Sequence, residues 1–155
     1  MLYKTPLFPE YTFSMDIVPS KDAIAAENKE NVVYLNYKYI PSLHILFSAI
    51  YKTIIAFKNT NSNFTESSFI KDIFINLYAT KNVKKVAFDT FNVDPNNEYC
   101  LRIELLAVAD SSNTTTSKEE ILKLLSEQKD LDKIKEIYGT HDEVQINEII
   151  QLRGL

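Results

Sequence analysis

Residues 43–57 read LHILFSAIYKTIIAF, and no other stretch of the chain is so apolar. At about 100° per residue, Leu43, Leu46, Phe47, Ile50, Ile54 and Phe57 fall on one side of a helix. Read with a period of two, neither face is clean: Ala49 and Tyr51 line up with Leu43, while His44, Ser48 and Lys52 interrupt the other face. The back of the helix carries Ile45, Ala49 and Ala56, with Lys52 as its only charge. A helix apolar nearly all round is covered on more than one side. Pro41 suits its entry and Ser42 its cap. The run falls short of the roughly 20 apolar residues a bilayer crossing needs, and His44 and Lys52 lie inside it, so no membrane role is expected.

Working outward, residues 31–40, NVVYLNYKYI, read as a strand. Val33, Leu35, Tyr37 and Tyr39 share one face, and Val32, Tyr34 and Ile40 dominate the other, which suits a central strand or one that meets a partner. Before it, Phe13, Met15 and Ile17 alternate with Ser14 and Asp16, giving a half-buried strand over Thr12–Val18. Residues 1–11 hold Pro6 and Pro9 and read as an irregular arm whose Tyr3, Phe8 and Tyr11 dock on the domain or on a partner.

On the other side of the core helix, Asn63 and Glu66 have capping-box spacing ahead of a second helix. Its inner face is Phe69, Ile70, Ile73, Phe74 and Leu77, with Lys71, Asp72 and Asn76 opposite. Val86–Val93 and Tyr99–Val108 read as a hairpin around the turn Asp94-Pro95-Asn96-Asn97-Glu98. Residues 110–117, DSSNTTTS, are a polar loop. Ser117 and Glu120 form a second capping box. The charged, narrow-striped helix that follows has a break at Gln128–Asp130 and a stop at Gly139. Thr140–Leu155 leans towards a strand on its β-branched content, although Thr140 and Glu143 would suit a helix cap. The fold expected is α+β: an antiparallel sheet of about four strands in ββααββ order, with a helix pair on one face and a C-terminal charged amphipathic helix. The 155 residues suggest one domain, with the arm at 1–11, an α+β core at 12–109, the loop at 110–117 and a helical extension at 118–155.

Composition excludes several chemistries. A net charge of −4 with no basic cluster beyond Lys84-Lys85 argues against a dedicated nucleic-acid binder. Gly139 and Gly154 are the only glycines, so neither a P-loop nor a Rossmann fingerprint exists, and no cofactor is expected. The single cysteine, Cys100, cannot form an internal disulfide and fits a reducing compartment. Residues 1–10, MLYKTPLFPE, lack the form of a leader, and a cytoplasmic setting is expected. Asn, Ile, Lys and Tyr are heavily used, as in an A+T-rich coding sequence, which suits a virus or a reduced parasite.

No residue set composes a catalytic site. His44 stands without a second histidine in motif reach and reads as a core-edge residue. His141 sits in a polar turn beside Asp142 and Glu143. Cys100 has no basic neighbour to hold a thiolate and reads as packed and inert. Asp94, Asn96, Asn97 and Glu98 lack the glycine and the alternation of a calcium loop, so no metal is expected.

The order ββααββ, with Leu35-Asn36-Tyr37-Lys38 ahead of the first helix, resembles the tunnelling-fold enzymes, among them the dihydroneopterin aldolases. The resemblance implies a pterin or purine held at a subunit interface, with Glu66 near the start of the second helix as anchor and Tyr37 beside it. The histidine cluster of that family's zinc-binding relatives is absent, and the C-terminal third has no counterpart.

The leading expectation is a non-enzymatic structural or interaction subunit of a larger assembly, such as a phage or viral virion component of connector, tail or neck type, with protein partners or further copies of itself. Tyr3, Phe8, Tyr11, Tyr34, Tyr37 and Tyr39 are the candidate contact residues, because tyrosine joins an apolar body to a polar tip and is enriched at interfaces. The alternatives are the pterin or purine enzyme and a small inhibitor or immunity-type module.

Overall fold

The computed structural model describes residues 1–5, 8–26, 29, 31–60, 68–78, 84–106, 116–140 and 142–152. It is an α+β fold built on one four-stranded antiparallel sheet of order β1-β2-β4-β3. The strands are β1 (Leu2–Thr5), β2 (Phe8–Pro19), β3 (Val32–Leu35) and β4 (Tyr99–Leu106). The helices are α1 (Ser20–Ala25), α2 (Leu43–Thr60), α3 (Ile73–Leu77), α4 (Lys84–Phe91), α5 (Lys118–Gln128), α6 (Leu131–Tyr138) and α7 (Glu143–Leu152).

β2 and β4 form the spine of the sheet, paired from Thr12↔Leu106 to Pro19↔Tyr99. Directly opposed residues share a face. Phe13, Met15, Leu101, Ile103, Val33 and Leu35 therefore lie on one side, and they are buried in a single cluster with Leu46, Ile50 and Ile54 of α2. The opposite face carries Ser14, Asp16, Arg102, Glu104 and Tyr34. There Arg102 reaches Glu104 at 2.8 Å. Partial burial works against the Arg102 charge, but the Glu104 carboxylate and the Tyr34 hydroxyl outweigh it and raise the guanidinium pKa.

α2 is the helix expected from residues 43–57, extended to Thr60. The Ile45 amide donates to the Ser42 hydroxyl oxygen at 3.2 Å, which caps its first turn. Ile45, Leu46, Ala49, Ile50 and Ile54 exclude solvent completely. Ile45 and Ala49, read from sequence as the back of the helix, are thus inside, and the solvent arc lies elsewhere. The capping box of Ser117 and Glu120 is present, the helix breaks after Gln128, and Gly139 ends α6 at φ 75°. The turn after Val93 also forms, with the Asn96 amide donating to the Asp94 carboxylate at 2.9 Å.

Five expectations are corrected. First, the N-terminal segment is not an irregular arm: Leu2–Thr5 pairs with β2 through Leu2↔Ser14, Tyr3↔Phe13 and Lys4↔Thr12. Pro9 lies near the start of β2, beside the β1 turn and short of the eight-rung pairing with β4. Second, Val86–Val93 is not a strand. Lys84–Phe91 is helical, and Ala87 and Phe91 are buried one turn apart. The hairpin expected there gives way to a β4 held between β2 and β3. Third, the strand over residues 31–40 stops at Leu35, because the Asn36 side chain accepts from the Lys38 amide at 3.1 Å and starts a 3₁₀ turn over Tyr37–Tyr39. Fourth, Glu143–Leu152 is a helix, capped by Asp142, whose carboxylate accepts from the Val144 amide at 2.9 Å. Fifth, Asn76 faces inward, donating to the Thr53 hydroxyl at 2.8 Å, while Thr53 donates to the Ala49 carbonyl at 2.7 Å. Asn63, Glu66, His141 and the loop 110–115 lie outside the described residues.

A candidate protein-interaction surface on α2

α2 is enclosed by the sheet on its inner side and by α3 and α7 on its flanks. Three polar links fix the α7 flank. The Ser42 hydroxyl donates to the Glu143 carboxylate at 2.8 Å. Ser48 donates to the Asn147 side-chain oxygen at 3.0 Å. The Lys52 ammonium donates to the Ile150 carbonyl at 2.6 Å, close to the C-terminal end of α7 where the helix dipole favours a cation. The partners advance together along both chains, so α2 and α7 run parallel. Ile146 and Ile150, four residues apart, are fully buried in the shared core.

With those sides covered, the rotation of about 100° per residue leaves an arc of α2 facing out, His44, Phe47, Tyr51, Ile55 and Lys58, with Ala56 exposed separately near the C-terminal end of the helix. His44 is exposed and the other four are half-buried. On the β1 side, the Tyr3 ring stacks on Phe47 with centroids 4.0 Å apart and planes 3° from parallel. Burial pushes the Tyr3 hydroxyl above the usual tyrosine pKa, with nearby Tyr51 adding to it, so it stays a neutral donor. Lys58 stands 6.0 Å from the Tyr11 ring centroid. On the α7 side, Val144 is the most exposed of the large apolar residues among those described, at 68 %. The arc is thus a strip of aromatic and aliphatic side chains edged by polar tips, the composition that protein contacts favour.

The tyrosines singled out from sequence do not form one surface. Tyr3 joins the α2 arc, and Tyr11 is buried beneath it. Tyr34 lies on the far face of the sheet beside Arg102. Tyr37 is buried at the α5–α6 junction, where its hydroxyl donates to Gln128 at 2.6 Å. Burial, with smaller effects from Glu98 and Cys100, raises its pKa. Tyr39 is half-buried with the Lys133 ammonium 5.9 Å from its ring centroid. The Phe8 side chain lies outside the described ones. Phe47, Tyr51 and Ile55 were missed in sequence because they sit inside the most apolar run; the polar tips of His44, Tyr51 and Lys58 on one arc were the available sign.

The chemistry of the site is that of contact. Among the described residues no group of His, Cys, Asp and Glu could hold a metal ion, and no helix is long and apolar enough to cross a membrane. Cys100 is fully buried against α1, and its thiol is pushed up to about 11 by burial, with the Ser20 hydroxyl pulling it partly back. It is the packed thiol the sequence suggested. His44 is on the exposed arc rather than at the core edge, without a catalytic partner among the described residues.

Comparison with known families gives the surface a context. Residues 18–153, from the end of β2 through α7, match the family described as kinase binding protein CGI-121. No curated protein matches the chain. The match spans α2, both of its flanking helices, β3 and β4, well over half of the chain, and the chain belongs to the CGI-121 family of kinase binding proteins.

Proposed function

We propose that the chain is a non-catalytic subunit that binds a protein kinase through the outward arc of α2, with Tyr3 on one flank and Val144 on the other. The family match over residues 18–153 carries the reading, because the family is described by what it binds. The arc supplies what such a contact requires: Phe47, Tyr51 and Ile55 are already partly desolvated, and they sit on a helix whose other sides are fixed by packing.

The test is direct. Each protein kinase of the source genome is expressed singly and its affinity for the intact protein measured by biolayer interferometry. One kinase is expected to bind far more tightly than the rest. Tyr51→Ala is expected to weaken that complex by about tenfold or more, the usual cost of truncating an aromatic anchor. A panel without a specific binder sinks the kinase reading. A specific kinase indifferent to Tyr51→Ala and Phe47→Ala moves the contact away from α2.

The other readings have less behind them. The family description names a kinase and gives no support to a virion role. In the enzyme reading Tyr37 should face a ligand; it is buried with its hydroxyl committed to Gln128, and Glu66 lies outside the described residues. An inhibitor-type module differs from a subunit in what binding does to the kinase, so turnover by the kinase with and without the bound protein separates the two.

A further inference from the structure

The sheet order leaves β3 at an edge, on the opposite side of the sheet from β1. The Leu105 amide donates to the Asn31 carbonyl at 2.9 Å. Combined with the register Val33↔Ile103 and Leu35↔Leu101, antiparallel alternation turns the main chain of Val33 and Leu35 towards β4 and that of Val32 and Tyr34 away from it. Part of this outward row is in use. The Val32 amide donates to the Lys29 carbonyl at 3.4 Å, and the Asn36 amide to the Phe91 carbonyl at 2.8 Å. Leu35 also forms a bridge with Asn92. The chain leaving α4 therefore already sits against one end of the edge as a fifth strand one residue long. Beside it, the Val32 C=O and the Tyr34 N–H have no hydrogen-bond partner among the described residues.

Next to these two groups is a cavity of about 320 Å³, with Ala23, Val33, Phe74 and Phe88 on its apolar side and Lys71 and Asn92 among its polar lining. Val33 belongs to the core face of the sheet and Val32 and Tyr34 to the other, so the cavity wraps the edge of the strand rather than lying on a face. A cavity of mixed apolar and polar lining beside a free main-chain acceptor and donor two residues apart fits one kind of occupant, a length of extended backbone.

We propose that the β3 edge accepts an extended segment of a partner protein as an added strand over Val32–Tyr34. In a parallel added strand, the residue opposite Val33 donates its N–H to the Val32 C=O and accepts from the Tyr34 N–H, and its side chain turns to the Phe74 and Phe88 side, where an apolar group fits. Its neighbours turn to the Ala23 side. β3 is only four residues long, which limits the added strand and protects the protein from open-ended pairing. This surface shares no residue with the α2 arc, so either can fail while the other stands.

The test uses the intact protein labelled with ¹⁵N and a capped synthetic peptide, the strongest binder selected from a randomised heptapeptide phage library. The Tyr34 amide is expected to exchange rapidly with solvent in the free protein, to shift on peptide addition and to become protected. N-methylation of the peptide's central residue should abolish binding. Tyr34→Pro removes the donor without costing a bond to β4, and should weaken the peptide roughly tenfold, about the worth of one main-chain hydrogen bond at an apolar site. Tyr34→Ala keeps the amide and should bind within about threefold of the parent. Selected peptides that leave the Tyr34 amide unshifted, or a library that yields no enriched sequence, overturn the proposal. Protection of Tyr34 that grows with protein concentration and needs no peptide also overturns it, since the edge then pairs with a second copy.

Discussion

Replacing Ile50 by alanine tests the organisation of the whole fold at one position. Ile50 lies on the inner side of α2 with no exposed surface, in the cluster that joins the helix to Met15, Leu101 and Ile103 of the sheet. Isoleucine exceeds alanine by three carbon groups; at about 0.8 kcal/mol each, their transfer contributes about 2.4 kcal/mol. The cavity left behind adds to this, since a core closed by a sheet and several helices relaxes only partly, and a total of about 3–4 kcal/mol is expected. That is a large share of the roughly 5–15 kcal/mol by which such a protein is stable. It corresponds to a fall in Tm of about 6–16 °C for a chain of this size. The assay is urea unfolding followed by circular dichroism, with the m-value checked for constancy so that the change in midpoint reads as a change in stability. His44→Gln, on the exposed arc of the same helix, is the paired control and should change stability by less than about 0.5 kcal/mol. A loss below about 1 kcal/mol for Ile50→Ala at constant m-value, or a larger one for His44→Gln, would refute the assignment of inner and outer sides to α2.

Other outcomes follow from the same geometry. The Cys100 thiol holds its proton to about pH 11 when folded, against an ordinary value of 9.0, so between those values the unfolded chain binds fewer protons and stability falls as pH rises. Urea midpoints measured from pH 8 to 11 should therefore drop less steeply for Cys100→Ala than for the parent, the difference reaching about 2 kcal/mol at pH 11. Tyr37→Phe removes the 2.6 Å bond to Gln128 and leaves a polar side chain without its donor, which should cost about 1 kcal/mol in the same melts and leave the affinity for the kinase unchanged. Gly139→Ala puts a Cβ into open space but on a backbone at φ 75°, so calorimetry should show a Tm lower by about 2–4 °C, from backbone strain of about 1 kcal/mol.

Where one physical signal dominates, the sequence was legible. α2 is long, its period is unmistakable, and the strand alternative fails on both faces. The cap at Ser117, the break after Gln128 and the stop at Gly139 each depend on local hydrogen bonds or backbone freedom, which residue type specifies directly. Failures fall where two explanations share one pattern. Ala87 and Phe91 are four apart, a spacing that suits one face of a helix and one face of a strand alike, and only packing beside α3 decides. Val144, Ile146, Ile149 and Ile150 have β-branched or strand-like character, yet burial of Ile146 and Ile150 against α2 outweighs that propensity. Leu2–Thr5 is too short to announce itself as a strand and exists because β2 offers an edge. The tyrosines of residues 31–40 lie apart for a related reason. Period two puts Tyr37 and Tyr39 on one face and Tyr34 on the other, and Asn36 ends that period midway.

The C-terminal third turns out to decide which side of α2 stays uncovered. Read from sequence, it was an extension; in the structure Ile121, Leu125, Ile134, Tyr138, Ile146 and Ile150 all enter the main core. It is tied to the rest by polar contacts that residue spacing cannot reveal. The Tyr138 hydroxyl donates to the Leu77 carbonyl, the Asp130 amide to the Lys38 carbonyl at 2.8 Å, and Lys52 to Ile150. By occupying a flank of α2 that would otherwise be open, α7 narrows the main outward arc to His44, Phe47, Tyr51, Ile55 and Lys58. For the proposed contact, that arc has to be stable in water when the protein is alone and dry when it is bound. Aliphatic side chains alone would meet only the second demand and charges only the first. An arc of His44, Phe47, Tyr51, Ile55 and Lys58, with Phe47 already covered by Tyr3, suits both, since it joins half-buried apolar bodies to side chains that end in polar groups.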